Sequence, residues 1–200
     1  MSDGTEILDA EQYFAELNRV IGGLSHDAIN QIVDTLMKAY DNGRIVYLCG
    51  NGGSASLASH FACDLGKGTA YCNGGKRLRV LSLTDNLPTL TAWANDSGYE
   101  HVFSEQLRNF VQPGDVALAI SGSGNSSNVL NALQVAREAG AITVGIAGFQ
   151  GGKMKLLCDI CAIVPSDDMQ IIEDLHLAIA HSIFRVVHTR MSRRTMAACP

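Results

Sequence analysis

Five short apolar runs, RIVYLCG, LRVLSLT, VALAI, AITVGIAGF and ICAIVP, alternate along the chain with segments whose apolar residues recur at helical spacing. No other feature constrains the fold as strongly. Strands separated by helices are joined by crossovers, and crossovers build parallel sheets covered on both faces. VALAI and ICAIVP lack polar alternation, which fits strands buried on both sides. The expected class is therefore α/β, a doubly wound, mostly parallel sheet flanked by helices. An N-terminal helical pair precedes it, YFAELNRVIGGL and AINQIVDTLMKAY, the second ended by Asp41-Asn42-Gly43. Further helices are expected from the turn after the first strand to about Leu65, over LPTLTAWAND, HVFSEQLRNFV, NVLNALQVAREAG and a short GGKMKLLC, and from Gln170 to about Thr189. A loop containing Asn73-Gly74-Gly75 precedes the second strand. With 200 residues the chain fits one domain, expected over 1–190, and 191–200 reads as a tail with little pattern.

Ligands of doubly wound sheets bind beyond the carboxyl ends of the strands. Two Gly/Ser-rich stretches fall there, CGNGGSASLASHFACDL after the first strand and SGSGNSSNVLNAL after VALAI. In the second, Gly122 and Gly124 let the backbone bend round an anion, and Ser121, Ser123 and Ser126 supply hydroxyls at the positive end of a helix. No lysine follows in the Walker pattern and the glycine order is wrong for a dinucleotide fingerprint, which leaves a phosphate monoester on a small molecule. The bland alternative is a connection in which Asn125 or Ser126 caps the helix.

His60 and Asp64 stand four apart and share a helical face. In MQIIEDLHLAIAHSIFRVVH, Glu173, His176 and His181 interrupt an otherwise apolar run. Glu173 and His176 have the i,i+3 spacing of carboxylate metal sites, whereas Glu173 and His181 lie about 12 Å apart along a helix axis. Helical spacing by itself thus pairs Glu173 with His176. His60, Asp64, Glu173 and one histidine of the last helix form a four-donor set suited to zinc.

A net charge of -5 offers no polyanion-binding surface, so nucleic acid is not an expected partner. No run is long and apolar enough for a membrane span and no signal peptide is evident, so a cytoplasmic setting is expected. The six cysteines mostly lie in apolar runs and read as buried free thiols, and Cys158-x-x-Cys161, with its second member in a strand, as core packing.

Four stretches in order, CGNGGSASLASHFACDL, TAWANDSGYEHVFSEQL, ISGSGNSSNVLNAL and VPSDDMQIIEDLHLAIAHSIF, give the chain a resemblance to the sugar-isomerase (SIS) domain family over nearly its whole length. Within that family it is similar to the bacterial phosphoheptose isomerases. The resemblance implies a flavodoxin-like sandwich and a homotetramer with active sites at subunit interfaces. It implies a phosphate cradle at Ser121, Gly122, Ser123 and Ser126, and substrate contacts at Asn51, Gly52, Gly53, Ser54, Asn95, Asp96 and Glu173. An acid/base pair falls on Asp64 and His181, and one zinc ion per site on His60, Asp64, Glu173 and His181. The resemblance thus selects His181 where spacing selects His176.

Two positions depart from the family pattern: Asp64 stands where glutamate is usual, and Glu173 where glutamine is usual. The implied reaction is aldose–ketose isomerisation of a sugar phosphate through an enediol(ate), sedoheptulose 7-phosphate to D-glycero-D-manno-heptose 7-phosphate. Its rivals are the isomerisation of a related phosphosugar and a non-catalytic tetramer serving as a replication-initiation protein adaptor. Retention of Asp64 and His181 argues against the second.

Overall fold

The computed structural model describes residues 7–70 and 76–198, so Cys72, Asn73-Gly74-Gly75 and Cys199 lie outside the described residues. The N-terminal pair is α1 (Ala10–Ile21) and α2 (His26–Asp41). Asp9 accepts from the Gln12 amide and Ser25 from the Ala28 amide, so each helix starts on a side-chain cap. Then follow β1 (Ile45–Cys49), α3 (Gly53–Cys63), β2 (Arg79–Ser82), α4 (Leu87–Asp96), α5 (Ser104–Phe110), β3 (Val116–Ser121), α6 (Ser127–Glu138), β4 (Ile142–Ala147), α7 (Met154–Leu157), β5 (Ile160–Ile163) and α8 (Met169–Ala198).

Every strand pair is parallel and the order is β2-β1-β3-β4-β5. The chain leaves β1 in one direction to form β2 and returns on its other side to form β3. The crevice of such a sheet opens between the carboxyl ends of β1 and β3, where the strand order reverses. Both Gly/Ser stretches start there.

Alternate side chains divide the core. Val46 and Leu48 of β1 with Val116, Leu118 and Ile120 of β3 pack on one face among residues of α2, α3 and α8. Tyr47 and Cys49 with Ala117 and Ala119 pack on the other, among residues of α5 and α6. Burial on both faces is why these runs show no polar alternation.

Three local outcomes differ from the sequence expectation. Helix α3 ends at Cys63 and continues as a π-helical turn, Asp64–Gly68. Cys63 is exposed rather than buried. Helix α8 runs on to Ala198, past the expected end near Thr189. Met191 is buried in the core, while Arg190 and Arg194 pair with Asp34 in the middle of α2 and Asp41 at its end, so the last turns have partners that helical periodicity does not reveal. Cys158 and Cys161 both crowd the space over Gly145 in β4, as the core-packing expectation holds. Among the described residues no helix is long and apolar enough to cross a membrane.

Candidate active site

Helix α3 begins directly after the β1 turn. Gly50 is required there: a Cβ would stand 2.6 Å from the Ser54 carbonyl oxygen and 2.9 Å from that of Ile120. Gly52, at φ 55, turns the chain into the helix. Two turns further on, His60 and Asp64 face α8. His60 Nε2 lies 3.5 Å from Asp64 Oδ2, and His181 Nε2 lies 3.8 Å from the same oxygen. The two imidazole Nε2 atoms are 3.5 Å apart. A tetrahedral ion with bonds of about 2.0–2.1 Å sets its ligands roughly 3.3–3.4 Å apart, so this triangle fits a divalent cation with a contraction of a few tenths of an ångström. Both imidazoles are about half exposed, at 49%, and the Asp64 carboxylate at 25%, which keeps the cluster open to a ligand. The π-helical turn that starts at Asp64 is a local irregularity of the kind that collects at functional sites.

Glu173 stands outside this cluster of three. Its carboxylate lies against the start of α3, with Oε2 3.0 Å from where a Gly53 Cβ would be. There it joins two cavities. One, of about 250 Å³, lies between α3 and α8 and includes His60 and His176. The other, of about 160 Å³, is the serine cradle. Ser54 and Glu173 are the two residues common to both.

The cradle is the β3–α6 loop. The Ser121 and Ser123 hydroxyls accept from the amides of Gly124 and Asn125, each at 3.2 Å, which folds the loop into a cup. Ser126 occupies the cap position of α6 but makes no side-chain capping bond, so the capping alternative is not the arrangement seen. The cup is supported from below by the β4–α7 loop, which sequence reasoning missed. Gly148 N donates to the Gly122 carbonyl at 2.9 Å and Met154 N to the Gly124 carbonyl at 2.9 Å. The run of glycines at 148, 151 and 152 was the available signal.

Asn51 is committed to its neighbours. Its carboxamide exchanges two 2.9 Å hydrogen bonds with Asn128, and its oxygen also accepts from the Tyr99 hydroxyl at 2.9 Å. This pairing joins the two ligand loops across the strand-order reversal. Asn95 and Asp96 sit at the exposed end of α4, bonded to each other at 2.7 Å, and line none of the cavities described here.

His176, the spacing-based choice, lines the α3–α8 cavity but is 1% exposed and stands outside the cluster of three. Burial holds its pKa down at about 4; the nearby Ala147 backbone opposes this weakly, and neither ring nitrogen has a hydrogen bond of good geometry. The imidazole is therefore neutral in the folded protein at neutral pH. Below its ordinary value of 6.5 the unfolded chain takes up a proton that the folded chain refuses. Stability is thus lost as pH falls from 6.5 towards about 4, by roughly 3 kcal/mol at about 1.4 kcal/mol per unit. Urea unfolding of wild type and His176→Leu between about pH 7 and about pH 4.5, which spans most of that window, should show a smaller loss in the variant. Parallel losses would reject the assignment.

Residues 12–148 match the SIS domain family model. Helix α8, with Glu173 and His181, lies beyond that match. A phosphoheptose isomerase of Aliarcobacter butzleri is 44% identical over 152 residues, covering 76% of this chain and 79% of that protein. Another, from Helicobacter hepaticus, is 42% identical over 163 residues, covering 81% and 82%. Among solved structures, a phosphoheptose isomerase from Neisseria gonorrhoeae superposes with a TM-score of 0.83 at 30% identity, covering 90% of this chain and 96% of that one.

Proposed function

The chain belongs to the SIS domain family, and from that premise we propose that it is a phosphoheptose isomerase, interconverting sedoheptulose 7-phosphate and D-glycero-D-manno-heptose 7-phosphate. The observation that carries this reading is that the serine cradle lines one cavity and His60, of the His60–Asp64–His181 cluster, lines another, and that the two cavities share Ser54 and Glu173.

The phosphate sits in the cradle, on the hydroxyls of Ser121, Ser123 and Ser126 and the amides around Gly122, at the positive end of α6. Fixing that end holds the carbon chain along Gly52, Gly53 and Ser54, so that the reacting carbons reach the cluster in one geometry. Asp64 turns Oδ2 to the imidazoles, which leaves Oδ1 to move the proton between C1 and C2, while His181 serves the carbonyl and hydroxyl oxygens. Zinc or another divalent ion held by His60, Asp64 and His181 supplies Lewis-acid polarisation of those oxygens when bound.

A homotetramer in the cytoplasm is part of the proposal. Phe14 and Ile21 expose large apolar side chains on α1, and an apolar cavity of about 460 Å³ lies between α2 and α8, lined by Leu24, Ile29, Val33 and Val186 among others. Asn95 and Asp96, which line neither the cradle nor the α3–α8 cavity of their own chain, act in this reading on a neighbour's site.

Purified protein assayed against five- to seven-carbon ketose and aldose phosphates, with added zinc and with chelator, tests the function. The heptose pair is expected to turn over fastest, with chelator lowering the rate. Turnover confined to a shorter sugar moves the assignment to a related phosphosugar, and no turnover on any member rejects it. Light scattering on the same sample should give about four times the 21.3 kDa chain mass; a monomer mass rejects the assembly.

A further inference from the structure

Cys158 and Cys161 are half-buried neighbours whose packing leaves their chemistry unused. Cys161 lies in β5, held beside Gly145 of β4 by the strand register. Cys158 stands just before that strand, where α7 ends. A Cβ at Gly145 would meet the Cys158 sulfur at 2.9 Å and the Cys161 sulfur at 3.1 Å, so both thiols converge on one spot over the sheet. The two are not equivalent. Hydrogen bonding from Cys158 holds the Cys161 thiol below its ordinary value, opposed by burial and helped by Lys155, while the same contact and burial push Cys158 up. One thiol thus ionises readily beside another that keeps its proton, the arrangement of a reactive Cys-x-x-Cys pair. Leu156 of α7 is 79% exposed, so the helix that ends at Cys158 lies at the surface, within reach of a small oxidant.

The same short helix braces the cradle. The Met154 amide holds the Gly124 carbonyl at 2.9 Å, and the Cys158 amide donates to the Met154 carbonyl at 3.1 Å. Met154 Cε also crowds Gly145, at 3.1 Å from the same added carbon. Cys161 is fixed by the strand ladder, so Cys158 is the member that moves when the sulfurs close to about 2.0 Å in a covalent bond. That movement is delivered to Met154, and through it to the cup.

We propose that Cys158 and Cys161 form an oxidation site: hydrogen peroxide converts the pair to an intramolecular disulfide, and the displaced end of α7 weakens the phosphate cradle. The Cys161 thiolate attacks one peroxide oxygen, the O–O bond breaks and hydroxide leaves, giving a sulfenic acid. The Cys158 sulfur then attacks the Cys161 sulfur, the S–O bond breaks, and hydroxide leaves with the Cys158 proton as water. The two thiols lose two electrons, and peroxide is reduced to water. The link to the cradle rests on the phosphate reading of that loop, whereas the disulfide does not, and the test separates them.

The full chain, reduced and freed of reductant, is exposed to a modest excess of hydrogen peroxide, alkylated and digested with trypsin. The peptide that follows Lys155 carries both cysteines. It should become lighter by two hydrogens and resist alkylation until reduced, before the exposed Cys63 is consumed. Cys158→Ser should instead accumulate a Cys161 sulfenic acid that dimedone traps, with thermal melts confirming the fold. In calorimetry the oxidised protein should bind glycerol 3-phosphate about fivefold more weakly than the reduced protein, as loss of about one hydrogen bond predicts. Dithiothreitol should restore binding, which methionine sulfoxide would not allow. Free thiols at both positions after Cys63 has reacted, or linkage of either to another cysteine, overturn the site. A disulfide with unchanged binding overturns the link to the cradle. Failure of the reduced protein to bind both glycerol 3-phosphate and sedoheptulose 7-phosphate overturns the phosphate reading and that link with it, and the peptide map still decides the disulfide.

Discussion

Gly124→Ala is expected to lose phosphate binding and to melt well below the wild type. Two costs combine at this position. Gly124 has φ 63, a conformation that costs an L-residue about 1–2 kcal/mol. A Cβ there would also stand 2.2 Å from the Gly151 carbonyl oxygen, which is backbone and cannot swing aside. Forcing extra volume into a packed contact costs roughly 1–3 kcal/mol more. A total of about 3 kcal/mol lowers the melting temperature by roughly 6–12 °C in a domain of this size. Relief requires the serine loop to separate from the β4–α7 loop, which breaks the Met154-to-Gly124 hydrogen bond that shapes the cup. Gly43→Ala is the control: it has nearly the same φ, 64, but nothing within 4 Å of the added carbon, so it reports strain without the clash. Equal melting temperatures for the two variants would show that the loops yield freely and that the cradle is not braced as described.

Asp64→Asn should abolish turnover while leaving the fold intact. The amide keeps the size of the side chain, and the position is partly exposed, so little packing is lost. The anionic oxygen that faces both imidazoles is removed, however, and with it one donor of the proposed metal set and the group proposed to move the carbon-bound proton. Loss of a general acid/base lowers rates by about 10²–10⁴, and an amide in place of a carboxylate weakens a divalent-cation site. Metal analysis of both proteins purified without chelator, alongside the isomerase assay, reads the two effects separately. Full metal content together with more than about a tenth of wild-type turnover would place the acid/base chemistry on another residue.

The alternation of apolar runs with helical segments is legible in the chain because it reflects local geometry. All five runs became strands, and both Gly/Ser stretches start at the carboxyl ends of β1 and β3. The pairing of His60 with Asp64 was legible for the same reason, since one helix turn brings residues four apart together. The family was legible in four ordered motifs, and the relatives bear it out.

The partner of that pair was not legible from spacing. Helical period groups Glu173 with His176, and His176 does lie on the inner face of α8, buried at 1% exposure. His181 meets His60 and Asp64 because α8 passes α3, so the contact belongs to two helices distant in sequence. The same limit applies to the β4–α7 loop beneath the cradle, to the Asn51–Asn128 pair that joins the two Gly/Ser stretches, and to Asn95 and Asp96, which line neither cavity. The sequence by itself determined what repeats over a few residues: element type, buried faces and the chemistry available on each turn. Strand order, the crossing of α3 and α8, and the position of Glu173 between two cavities were decided only by tertiary packing, because burial of the two sheet faces sets them across distances that no local pattern encodes.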